Sequence, residues 1–208
     1  QLTIELFNTS KIDIPLGTIQ LVTGSTAPLH KGERADYVNF FWQDKGNFES
    51  EHPGYFKGGF FGKEKIDFTA STEQTLDFAG VENQFFATIV DPAEDFPSIV
   101  RAQPDKVTLP LERGGDIAPL LTQSISLPGE NLSPEKGRTL VYDIYMGPKD
   151  NSLIRSLDGN KDDVMNYGFF SPISRTLNWI LNKLSSLFGS EKNSWSWGWA
   201  VVALTILI

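Results

Sequence analysis

From residue 2 to about residue 146 the chain alternates apolar and polar side chains with a period of two, or gathers them into short apolar runs. A period of two belongs to strands, because successive side chains of a strand point to opposite faces of a sheet. The pattern predicts strands over 2–7, 18–23, 37–42, 66–70, 75–78, 84–90, 106–111, 121–127 and 139–146, all rich in β-branched and aromatic residues. Pro15-Leu16-Gly17, Gly58-Gly59, Asp91-Pro92, Gly114-Gly115 and Pro128-Gly129 supply turns between them. Short strands separated by frequent turns predict a β-sandwich. No internal repeat or low-complexity tract interrupts it.

The 208 residues suffice for one sizeable core, and 40% hydrophobic against 21% charged residues fits a folded chain. The net charge of −8 is uneven. Residues 167–208 hold Arg175, Lys183 and Lys192 against Glu191, a net +2, which leaves 15 basic and 25 acidic residues, −10, in residues 1–166. So acidic a body repels a phosphate backbone, which excludes nucleic acid as a partner. There is no cysteine, hence no disulfide, thiolate metal site or thiol nucleophile. The first residues, Gln1-Leu2-Thr3-Ile4-Glu5-Leu6, already alternate like a strand inside a domain and carry no signal-peptide pattern. The N-terminus is expected to be a cut within a larger protein.

The pattern changes at Gly147-Pro148. Residues 149–157 predict a short helix ended by Asp158-Gly159-Asn160, and 161–165 a further turn. From Ser171, a fitting N-cap, the residues Ile173, Leu177, Ile180, Leu181, Leu184, Leu187 and Phe188 recur at helical spacing until Gly189. Arg175, Asn178, Asn182, Lys183 and Ser186 lie off that stripe. The expectation is an amphipathic helix of about five turns. From Asn193 onward there is no charge, and Trp197–Ile208 is nearly all apolar. A bilayer span needs about 20 such residues, so the run is read as the start of a span. Trp179, Trp195, Trp197 and Trp199 cluster here, and tryptophan favours the membrane–water interface. A buried strand over 201–208 and a core-packed helix over 173–188 are the competing readings.

Tyr145-Met146-Gly147-Pro148-Lys149 resembles the Tyr-x-Gly-Pro-Lys exit from the last β-strand of the YidC insertase family of Gram-negative bacteria. Asn166-Tyr167-Gly168-Phe169-Phe170, with Leu177-Asn178-Trp179-Ile180-Leu181 behind it, is similar to that family's entry into an interfacial helix, with Asn166 in place of its Asp. Trp197-Gly198-Trp199-Ala200-Val201-Val202 resembles the start of its second transmembrane helix, and Gln84-Phe85-Phe86-Ala87-Thr88 its aromatic periplasmic strand. Order and spacing make the match, which runs over essentially the whole chain. The resemblance implies a mainly β chain: part of a periplasmic β-supersandwich over 1–146, a linker with a short helix over 147–168, an amphipathic interfacial helix over 169–189, and the start of a transmembrane helix over 195–208. It implies a chaperone of protein transport on the periplasmic side of the inner membrane, inserting nascent membrane proteins alone or beside Sec translocon components. It implies no enzyme and no cofactor. Candidate membrane-interface residues are Phe169, Phe170, Ile173, Leu177, Trp179, Ile180, Leu184, Leu187, Trp195, Trp197 and Trp199. The family's groove arginine and cytoplasmic parts are expected beyond Ile208.

Catalytic patterns are weak. His30 and His52, the only histidines, lie beside Gly and Pro and read as solvated loop residues. Residues 58–64 resemble a phosphate loop only superficially, since the spacing is wrong and no Ser or Thr follows Lys63. Asn8-Thr9-Ser10 matches a glycosylation sequon, and Asp91-Pro92-Ala93-Glu94-Asp95 reads as a solvated acidic loop. No metal or catalytic residue is assigned. The alternative reading is a soluble carbohydrate-binding or carbohydrate-active β-sandwich, with Tyr37, Phe40, Phe41 and Trp42 as an aromatic platform. Alternation sets Phe41 on the face opposite Phe40 and Trp42, which puts only half of these rings in the core.

Overall fold

The computed structural model describes residues 1–58, 63–72, 75–94, 96–113, 115–127, 129–159 and 161–165, together with Ile180, Lys183 and Val202 at helical positions. The chain divides into two compact units, Gln1–Val164 and Met165–Ile208. The first is a mainly β structure of antiparallel sheets. Its strands are β1 (Leu2–Phe7), β2 (Ile14–Pro15), β3 (Ile19–Thr26), β4 (Asn39–Asp44), β5 (Asn47–Glu51), β6 (Phe68–Ser71), β7 (Leu76–Glu82), β8 (Phe86–Pro92), β9 (Ile99–Thr108), β10 (Ile117–Leu127), β11 (Asn131–Leu132) and β12 (Gly137–Pro148). They form a six-stranded sheet in the order β1-β12-β8-β7-β4-β5, a four-stranded sheet β3-β10-β9-β6, and a small β2-β11 ladder.

Alternation decides which residues meet between the sheets. Phe40 and Trp42 of β4, Val81 of β7 and Leu140 of β12 point inward from the larger sheet. Phe68 of β6, Val100 of β9 and Leu121 and Ile125 of β10 meet them from the smaller one. Phe68 packs with ring centroids 4.9 Å from Phe40 and 5.0 Å from Trp42, the distances at which tilted aromatic rings attract. Buried polar groups also join the two sheets. The buried Gln123 amide of β10 donates to the Phe41 carbonyl of β4 (2.8 Å) and accepts from the Thr23 hydroxyl of β3 (2.8 Å). Such a bridge has few alternative partners, so it fixes the sheets' mutual position as well as satisfying the groups it joins.

The structure corrects several expectations. Phe40, Phe41 and Trp42 are all buried, because the outer face of β4 is covered too. Phe41 lies in a second apolar cluster with Phe78, Ile89 and Val164, against which Phe48 and Leu157 pack. The strand expected at 106–111 is the end of a longer one, β9, followed by a 3-10 turn, Leu111–Arg113. Asp91-Pro92 ends β8 rather than turning, and Pro15 lies in β2. β5 was not expected, since its sequence, Asn-Phe-Glu-Ser-Glu, is short and charged. It follows a two-residue hairpin loop in which Lys45 and Gly46 both adopt positive φ (49° and 76°), the geometry that matches strand twist. The short helix predicted over 149–157 is narrower: α1 covers Asn151–Arg155. A 3-10 turn, Lys161–Met165, stands where a further turn was expected.

Among the described residues no helix is long and apolar enough to cross a membrane. The amphipathic stretch and the apolar tail lie almost wholly outside them. Ile180 and Lys183 are helical, Ile180 half-buried and Lys183 exposed, and Val202 is helical and exposed. The candidates Phe169, Phe170, Ile173, Leu177, Trp179, Leu184, Leu187, Trp195, Trp197 and Trp199 fall outside the described residues.

Candidate functional site

Where the chain leaves the last strand, two lysines fasten it to the larger sheet. β12 ends at Pro148, whose carbonyl accepts from the Tyr145 hydroxyl (2.6 Å). The next residue, Lys149, turns inward. Its ammonium meets the carboxylate of Glu82 at 2.6 Å, with the Lys149 side chain 11% exposed and that of Glu82 fully buried. The Asn39 amide donates to the other Glu82 oxygen (3.1 Å). Asp150 then caps α1, accepting from the backbone N–H groups of Ser152 (2.8 Å) and Leu153 (3.1 Å). These bonds, first among them that of the Ser152 side chain, hold the Asp150 carboxyl below the usual carboxylate range.

Farther along, Ile154 of α1 is fully buried, and Gly159 turns the chain with φ +88°. Lys161 then comes back to β8: its ammonium lies 2.6 Å from the Asp91 carboxylate and also donates to the Asp158 carbonyl. The same ammonium stands 5.6 Å from the centre of the Phe78 ring. Val164 closes the segment by entering the outer apolar cluster. The described residues 149–159 and 161–164 therefore form a strap across the outer face of β7 and β8, with an ion pair towards each end and apolar plugs between. Buried ion pairs of this kind fix position more than they stabilise, because desolvation offsets much of their attraction.

The other sites read from the sequence fare differently. His30 and His52 are exposed, and each accepts a local backbone N–H through its Nδ1. Asn8 is buried and holds the loop after β1 by donating to the carbonyls of Ile12 (2.9 Å) and Leu132 (2.7 Å), a structural role for the sequon residue. Asp91 is no solvated loop residue, since it pairs with Lys161, while Asp95 lies outside the described residues. Of the supposed aromatic platform only Tyr37 is exposed. A cleft of about 510 Å³ lies among Phe56, Lys57, Lys65, Pro104, Lys106 and Ala118. Its two carboxylates, Glu64 and Asp105, are exposed, and Asp105 accepts from the Lys106 N–H (2.7 Å), so they do not converge as an acid–base pair. Among the described residues no three His, Asp or Glu side chains gather to hold a metal.

Sequence reasoning singled out Lys149 within its motif but not its partner. The one signal for Glu82 was a carboxylate closing the apolar run Phe78-Ala79-Gly80-Val81. Lys161 and Asp91 gave none, because their pairing depends on how the strap folds back.

A family model described as the YidC periplasmic domain matches residues 39–180, well over half of the chain. The chain belongs to the YidC periplasmic domain family. Its body is accordingly a domain on the periplasmic side of an inner-membrane protein, and it is not an enzyme. Among curated relatives, the membrane protein insertase YidC of Thiobacillus denitrificans is 29% identical over 89 residues, 43% of this chain and 15% of the relative. That of Neisseria gonorrhoeae is 26% identical over 128 residues, 62% of this chain and 22% of the relative. That of Pseudomonas putida is 28% identical over 124 residues, 60% and 19%. The chain thus matches about a fifth or less of the length of these relatives. The family match includes the whole strap, from Lys149 to Val164.

Proposed function

We propose that this chain is the periplasmic part of an insertase that helps inner-membrane proteins insert and fold, alone or with Sec translocon components. The observation that carries the reading is the family match over residues 39–180, which takes in the β-body from β4 onward, the strap and the first part of the amphipathic stretch. On this reading the two facing sheets are part of a larger β-supersandwich. The strap fixes how the chain leaves the body, residues 169–189 lie along the periplasmic membrane surface, and 195–208 begin a transmembrane helix. The partners are the lipid bilayer and nascent membrane proteins, and no covalent step is involved. The sequence supports this with a continuous apolar stripe over 173–188 and an uncharged tail containing Trp195, Trp197 and Trp199.

The stripe provides the test. Each large apolar side chain that leaves water contributes about 1.5–3 kcal/mol when fully buried, so several outweigh the attraction of Arg175 and Lys183 to anionic lipid. Ile180→Asn and Leu184→Glu should therefore reduce flotation of the chain with liposomes, with little dependence on salt, while the thermal unfolding midpoint of the β-body stays put. Unchanged flotation together with a collapsed melting curve would show that the stripe is protein core and end the membrane reading of this segment.

A further inference from the structure

Beside the strap, the turn between β7 and β8 carries two adjacent phenylalanines into solvent: Phe85 is 44% exposed and Phe86 49%. Large apolar side chains on a turn are common enough singly. What distinguishes this one is its backbone. The Asn83 N–H donates to the Phe86 carbonyl (2.9 Å), and the Gln84 N–H to the Glu33 carboxylate (3.0 Å). The N–H groups of Phe85 and Phe86 both donate to the Asn83 side-chain oxygen, at 2.9 Å each. The Phe85 carbonyl accepts from the Lys149 N–H (2.7 Å). All four N–H groups of residues 83–86 are thus satisfied inside the protein. Unpaired backbone groups are what normally keep a turn in water, since each costs several kcal/mol in hydrocarbon.

Two of the carboxylates near this turn are withdrawn from solvent. Glu33 is buried and engaged with the Leu29 and Gln84 N–H groups, and Glu82 is buried against Lys149. Exposed here beside the polar Gln84 and the Asp150 carboxylate are four apolar side chains: Phe85, Phe86, Met146 of β12 (71% exposed) and Leu153 of α1 (46%). Met146 pairs with Thr88 and Pro148 with Phe86, so the end of β12 lies directly beside the turn. Several other exposed apolar residues have charged neighbours, as Ile12 does between Lys11 and Asp13, and Leu111 before Glu112 and Arg113, while Phe7 and Val22 stand singly.

We propose that the β7–β8 turn is a second membrane contact, independent of the C-terminal stretch, which enters the headgroup layer of a zwitterionic lipid surface through Phe85 and Phe86. Lipid fits this turn better than a protein groove does. Four side chains supply far less than the roughly 1,200–2,000 Å² buried in a stable protein interface, whereas entry into lipid requires only that the side chains themselves leave water. The body carries −10 over residues 1–166, and Asp150 lies beside the turn, so anionic lipid gives no added attraction.

The chain has no cysteine, which permits a single-site probe. Phe85→Cys in the full chain, labelled with an environment-sensitive fluorophore, is mixed with vesicles of phosphatidylcholine and phosphatidylethanolamine bearing brominated acyl chains. The expected result is a blue shift and bromine quenching at position 85, with neither at a label on Asn47→Cys, the first residue of β5, at the opposite end of the sheet from the β7–β8 turn. Phe86→Ser in the labelled chain should weaken both signals without moving the melting midpoint. A label at 85 that stays in water while the chain floats with the vesicles would overturn the contact and leave the C-terminal membrane reading standing. Shielding that appears only when a membrane protein is reconstituted with the lipid would assign the turn to a protein partner instead. A signal that requires anionic lipid would equally overturn the proposal.

Discussion

At Gly80 an added Cβ would lie 1.9 Å from the Thr88 carbonyl oxygen of the neighbouring strand and 2.8 Å from the Phe41 ring. Neither can retreat cheaply, since one is backbone and the other is fully buried. Gly80→Ala is therefore expected to destabilise the body by about 1–3 kcal/mol or more, read as a fall in the denaturant midpoint at unchanged slope. Asp150 offers a milder, pH-dependent case. Its folded carboxyl is held below its ordinary value by the α1 cap. A depressed carboxyl contributes stability above its unfolded value and loses that contribution as pH falls through the folded one. Asp150→Ala should open α1 at neutral pH by roughly 0.5–2 kcal/mol, the usual range for a lost N-cap. The difference from the wild type should shrink on acidification through the carboxylate range, and hydrogen exchange at residues 151–156 reads it directly. A difference that grew on acidification would mean that Asp150 does not act as a charged cap.

At the scale of an element, the strap is held to the larger sheet by two ion pairs. Lys149→Met removes the cation 2.6 Å from a fully buried carboxylate, and breaking a pair of this kind typically destabilises by about 3–5 kcal/mol. The neutral pair Glu82→Gln with Lys149→Met should recover much of that loss, because it leaves no buried charge uncompensated. A double-mutant cycle on unfolding, with hydrogen exchange over residues 149–165, measures the coupling. Additive effects would mean that the two side chains do not act as a unit. Elements that rest on local signals were legible before the fold was known: β1 spans residues 2–7 as its alternation predicts. β5 was not legible, because what makes Asn47–Glu51 a strand is the positive-φ turn at Lys45-Gly46 and the partner β4, neither of which its own residues announce.

For the molecule as a whole, the described residues that fill the space between the sheets all come before residue 145, Ile144 being the last of them. Deleting residues 195–208 should therefore leave the melting midpoint of the β-body unchanged and raise solubility. Loss of the folded body on truncation would mean that 201–208 is a core strand. The sequence by itself determined the strand-forming character of residues 2–146, the change of character at Gly147-Pro148 and the family, because side-chain period and motif order are local properties of a chain. Only the tertiary structure decided that Phe41 is as buried as Phe40, that Glu82 finds Lys149 and that Asp91 finds Lys161. Residues 67 and 70 positions apart meet there because the strap folds back over β7 and β8. A one-dimensional pattern carries which face a side chain takes; whether that face is then covered depends on a segment that arrives from elsewhere in the chain.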